Sequence, residues 1–165
     1  MNGIVKKLPL PAVALFLAIA ATGNLVLSYG NIYRNICGVI AAIIFILIFA
    51  KIIRYPKDVA QDLKNPVVAS VFPALSMGIM LIATYIKPLA ATIAFALWII
   101  GLGLHIILIL YFTKKYVLNF NIKKVFPSWY IVYVGIAVGA VTAPAFEMTY
   151  IGQILFWFGF ISYLI

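Results

Sequence analysis

Between Lys64 and Lys87 the sequence carries no charged residue, and this stretch limits the fold more than any other. At about 1.5 Å of rise per residue, Val67 to Ile86 would cover about 30 Å as a helix, the thickness of a bilayer's hydrocarbon core. A membrane-spanning helix is the expected form. Pro73 stands where an interior hydrogen bond belongs, and Ala69, Ser70, Ser76, Gly78 and Thr84 are small or weakly polar. A helix of that kind needs neighbouring helices against which to pack.

The remainder of the chain supplies them. Six spans are expected, at about residues 8–27, 36–53, 67–86, 89–112, 127–146 and 148–165, which makes an all-α membrane protein with one transmembrane domain. Composition agrees, because 67% of the residues are hydrophobic and 9% charged, against roughly a quarter charged in a soluble domain. The first span follows Lys6 and Lys7 and contains Ala18-Ile19-Ala20, a pattern shared with cleavable signal peptides. Pro9 and Pro11 at its start, and the apolar run beyond Ala20, favour a retained helix. Lys51 and Arg54, which close the second span, are expected to snorkel to the headgroups. Residues 51–64 then read as an aqueous loop or one short amphipathic turn. The sixth run stops without a charge or a polar tail, so the sequence is expected to be the first part of a longer chain.

The formal charge of +9 would suggest nucleic acid as a partner in a soluble protein. Here the basic residues lie between apolar runs, so nucleic acid is not expected and the charge sets orientation instead. The N-terminus and the second and fourth loops hold ten of the 12 Lys and Arg residues, and Arg34 and Lys87 are the other two. A multi-pass protein of the cell membrane with a cytoplasmic N-terminus follows from the positive-inside bias. The odd spans then start at the cytoplasmic face beside Lys7, Lys64 and Lys124, where their positive helix ends would attract anions.

Those starts also resemble one another: Lys7-Leu8-Pro9, Lys64-Asn65-Pro66 and Lys124-Val125-Phe126-Pro127, with prolines 57 and 61 residues apart. One repeat is therefore one helical hairpin. Within each hairpin the two spans differ. Odd spans carry small residues at helical spacing, namely Ala14, Ala18 and Ala21, then Ala69, Pro73, Ser76 and Ala83, then Gly135, Gly139 and Thr142. Even spans are rich in Ile, Leu and Phe, as in Ile43-Ile44-Phe45-Ile46-Leu47-Ile48-Phe49. An inner ring of odd helices lining a pore and an outer ring facing lipid would result, although small stripes also serve simply to pack helices.

Catalytic and metal-binding patterns are missing. His105 lies mid-span with no acidic residue near it in sequence and reads as a hydrogen-bonded structural histidine; Glu147 reads as an interfacial residue. Gly101-x-Gly103 is a packing feature, and Asn24 and Gln153 are candidates for bonds between helices. No enzyme activity, cofactor or metal is expected. The reading is a pore passing small anions; a membrane scaffold or assembly subunit that transports nothing is the alternative.

Leu8-Pro9-Leu10-Pro11, Lys64-Asn65-Pro66-Val67 and Phe126-Pro127-Ser128-Trp129-Tyr130 open the three odd spans. In order and spacing they resemble the corresponding helix starts of the tellurite-resistance/dicarboxylate transporter family, which includes the plant slow anion channels. The resemblance covers essentially the whole chain. It implies ten transmembrane helices in five hairpins around a central pore, with odd helices inside, commonly as a trimer. It also implies transport of dicarboxylate, tellurite or monovalent anions. The family's inner helices are typically kinked by prolines, which Pro73 and Pro144 match and the first span does not. The phenylalanine that plugs the family's pore belongs to the ninth helix, so no gate residue carries over.

The charge asymmetry predicts the topology. In a Cys37→Ala background, a reporter cysteine at position 57 or 115 should escape an impermeant thiol reagent in intact cells, and one beside Arg34 or Lys87 should react. Labelling from outside at position 57 would reverse the orientation.

Overall fold

The computed structural model describes residues 2–165, and the side chains of all of these except Asn2, Ile4 and Lys124. The expectation for Lys124 thus lies outside the described side chains. All regular elements among the described residues are helical. After the short helix α1 (Asn2–Lys7), the first span is α2 (Ala12–Leu25), prolonged by one 3-10 turn to Tyr29. Gly30, at φ 134°, turns the chain into the second span, α3 (Asn31–Arg54). The polar stretch beyond it forms α4 (Pro56–Asp62).

The third span is two helices, α5 (Pro66–Val71) and α6 (Ala74–Ile86). Pro66 sits in the first turn, and Asn65 caps that turn by accepting a bond from the Val67 N–H at 2.9 Å. The break comes at Pro73, which has no N–H for the Ala69 carbonyl. The fourth span, α7 (Ala91–Phe112), winds on through a π turn to Val117. The fifth has three pieces, α8 (Trp129–Val134), α9 (Ala137–Thr142) and a 3-10 turn from Ala143 to Phe146. Its first break, at Gly135 and Ile136, has no proline; the chain tightens there into bonds from Val138 to Gly135 and from Gly139 to Ile136. α10 (Thr149–Leu164) is the sixth run. Among the described residues, five runs are long and apolar enough to cross a membrane, and α10, at 16 residues, is shorter.

The odd spans stand in a row. α2 packs on α6, α5 on α8 and α6 on α9, while each odd span also packs on the even span that follows it. The third span is consequently the buried centre of the bundle, enclosed from Ala74 to Leu81. Even spans turn Ile43, Ile46, Ile100, Ile107 and Phe158 outward.

One expectation about the lysine-rich end changes. Lys51 is buried rather than snorkelling: its Nζ donates to the Leu8 carbonyl at 2.5 Å and lies 3.5 Å from Asp62. The reason is local. Ala12, four residues on from Leu8, gives its N–H to Pro9 instead, so the Leu8 carbonyl needs another donor, which the end of the second span supplies.

Lipid removes most of the hydrophobic drive for helix association, so close packing carries the bundle. The first and third spans approach closely at Gly78, where an added Cβ would lie 2.2 Å from the Phe16 ring. Gly78→Val should therefore cost about 1–3 kcal/mol, read as a lower unfolding midpoint in detergent. Gly103→Val is the control, because no atom lies within 4 Å of the added carbon.

Candidate functional site

Where the three odd spans meet, they leave an open groove of about 350 Å³. Ala14 and Leu17 come from the first span, Ala74 and Met77 from the third, and Val134, Gly135 and Val138 from the fifth. The break of the third span and the first break of the fifth reach it, since Ala74 directly follows Pro73 and Gly135 opens that first break. Among the described residues, none that lines it is charged.

The three small-residue stripes are placed differently. Ala14, Ala18 and Ala21 are exposed along one side of α2. Ala69, Pro73, Ser76 and Ala83 are buried, and so are Gly135, Gly139 and Thr142. Ser76 Oγ lies 2.8 Å from Nδ1 of His105 on the fourth span and donates to the Pro73 carbonyl at 2.7 Å. A hydroxyl has one proton, so with that proton on the Pro73 carbonyl the imidazole Nδ1–H is the donor to Ser76. Thr142 accepts from Trp98 Nε1 at 2.8 Å. A Cβ on Gly139 would meet Leu155 at 2.9 Å and Met80 Sδ at 3.4 Å. Small polar side chains in an apolar interior need partners, and the even spans supply them.

Of the ten stripe residues, the groove therefore gathers Ala14 and Gly135, with Ala18 and Ala21 further along the first helix. Sequence reasoning passed over Ala74, Met77, Val134 and Val138. The signal for Ala74 was its position one residue beyond Pro73; the other three have no sequence mark that separates them from any apolar helix residue.

At the lysine-rich end, Lys7 and Lys64 are exposed beside the starts of the first and third spans. Lys115 is engaged instead, donating to the Leu63 carbonyl at 2.9 Å and to the Tyr111 hydroxyl at 2.7 Å. The Ser70 and Ser128 hydroxyls lie 2.6 Å apart and join the third span to the fifth at the same end. Asn24, a candidate for a bond between helices, donates to Thr84 Oγ1 at 3.2 Å and accepts from Arg34 Nε at 3.1 Å. Among the described residues no group of three or more His, Cys, Asp or Glu side chains could hold a metal ion.

Parallel inner helices, apolar outer helices and an uncharged groove between the former define a multi-pass membrane protein built around its odd spans. The chain belongs to the voltage-dependent anion channel family, whose sequence profile matches residues 8–165. It is a membrane anion channel or transporter of that family. No match was found among curated proteins.

The buried stripes predict how substitutions divide. Gly139→Leu should lower the yield of folded protein, because the new side chain must displace Leu155. Ser76→Ala should lower stability by about 1 kcal/mol, since it strips His105 Nδ1 of its partner. Ala18→Phe, on the exposed side of α2, should leave the unfolding midpoint in detergent unchanged.

Proposed function

We propose that small anions cross the membrane along the groove between the first, third and fifth spans and the exposed Ala14, Ala18 and Ala21 side of the first. The observation that carries this reading is the groove itself: it lies between three parallel inner helices of an anion-channel family member and is lined by small and apolar side chains. Gly135 lines this path directly, and Ala69, Pro73, Ser76, Ala83, Gly139 and Thr142 serve it from behind, as the seam that holds its wall. Lys7, Lys64 and Lys124 flank the mouth at which the odd helices begin, on the cytoplasmic side of the cell membrane. Trimeric assembly belongs to the same proposal and is supported by the family resemblance.

The lining also bears on the substrate. The electrostatic cost of taking an ion out of water rises with the square of its charge, and an uncharged groove has nothing to offset it. Monovalent anions are thus favoured over dicarboxylates. Weak interaction along the wall also lets an ion leave as readily as it arrives.

Flux assays in proteoliposomes test this. Ala18→Phe in the full-length protein should cut chloride flux by about tenfold, as a bulky apolar constriction does, with folding intact. Replacing Lys7 and Lys64 by Gln should lower flux at low ionic strength and lose its effect near 1 M salt, where charges are screened within about 3 Å. Unchanged flux in Ala18→Phe would move the path elsewhere. A wild-type protein that passes no anion would favour the scaffold.

A further inference from the structure

The end of the bundle away from the lysine-rich loops presents an electrostatic difficulty for an anion path. The odd spans run parallel, so their carbonyl ends gather there, each equivalent to about half a negative charge. An anion leaving at that end would meet repulsion. The two basic residues on this side, Arg34 and Lys87, both donate into those carbonyl ends.

Arg34 lies near the start of the second span and is half-buried. Its Nη2 donates to the Thr84 carbonyl at 2.9 Å. That carbonyl lacks its ordinary helical donor, because the residue four positions on is Pro88, which has no N–H. The guanidinium also donates to Asn24 on the first span and lies 4.4 Å from the centre of the Tyr85 ring. Lys87 reaches from the end of the third span to the Ala145 carbonyl, in the last turn of the fifth. Neither is in an ion pair among the described residues. The acid at this end is Glu147, which is exposed; Asp58 and Asp62 belong to the opposite end.

A neutral amide could satisfy either carbonyl. Two cations without carboxylate partners do more, because they offset the negative carbonyl ends of the third and fifth helices. We propose that Arg34 and Lys87 are charge-selectivity residues of the outer mouth, which turn the repulsive carbonyl ends of the inner helices into a surface an anion can cross. The inference rests on the proposed anion path and adds the residues that set its sign at this end.

The test is the chloride-to-potassium permeability ratio, taken from the reversal potential of the full-length protein in planar bilayers under a KCl gradient. Lys87→Gln and Arg34→Gln each keep an amide donor for the carbonyl and remove the charge. Each should lower the ratio by about two- to threefold at low salt, the size expected of one charge acting over several ångströms of water. The difference should vanish near 1 M salt, and Lys87→Arg should keep the wild-type ratio. If Arg34→Gln fails to fold, Lys87→Gln decides. Lower conductance with an unchanged ratio in the Gln variants would mean that the two residues only hold helices together, and would overturn the inference. A wild-type protein that passes no anions would overturn the conduction reading and this one with it; a conducting wild type with an unmoved ratio would overturn this one alone.

Discussion

In hydrocarbon no water is at hand to bond a peptide group, so a carbonyl freed from its helix must find a donor within the protein. This chain frees several, most of them through proline. Pro88 strips Thr84 of its donor, and the proline-rich start of the first span leaves Leu8 without one. Val67 gives its N–H to the Asn65 side chain, and the Leu63 carbonyl is bonded by Lys115 and Tyr116. These vacancies are filled by side chains from other segments: Lys51 on Leu8, Arg34 on Thr84, and Lys115 with Tyr116 on Leu63. The helix breaks and the bonds between helices are thus two sides of one constraint.

That constraint explains why so small a share of charge suffices. Several of the basic residues are structural donors first, and the carbonyls they meet are oriented dipoles rather than carboxylates. The chain has 3 Asp and Glu residues against 12 Lys and Arg, so pairing with acids could hold few of them. Backbone carbonyls do that work without cancelling a full charge, so the lysine-rich rim of the bundle stays strongly positive, the opposite rim keeps two cations against one acid, and the groove between the inner helices is uncharged. A membrane protein that handles anions is well served by that distribution.

The hairpins, the apolar outer helices and the break at Pro73 were legible because each depends on residues close together in sequence. The direction of each small stripe was not. Ser76 and Thr142 turn toward His105 and Trp98, and nothing local says which of several apolar faces will meet an imidazole or an indole N–H 29 or 44 residues away. The stripe on the first helix, which has no polar member, stays open. In the fifth span the first break comes without a proline, and Gly135 is marked in sequence as a member of the small stripe expected to line the pore rather than as a break. Lys51 departs from its expected place for a similarly distant cause: snorkelling is the default for a lysine at a span's end, and an orphan carbonyl 43 positions earlier overrides it.

The tie between Arg34 and Thr84 has a consequence for biogenesis. A helix emerging from the ribosome enters the membrane before its successors exist, and the Lys51 contact with Leu8 lies wholly within the first hairpin. That end can close as soon as two helices have been inserted. Arg34, in contrast, finds Thr84 and Tyr85 only once the third helix arrives, about 50 residues of synthesis later. Until then Asn24, on the first helix of the same hairpin, is the partner at hand for the guanidinium. Docking of the third helix therefore completes the arginine's set of contacts, and this end of the bundle is finished only when three helices are in place.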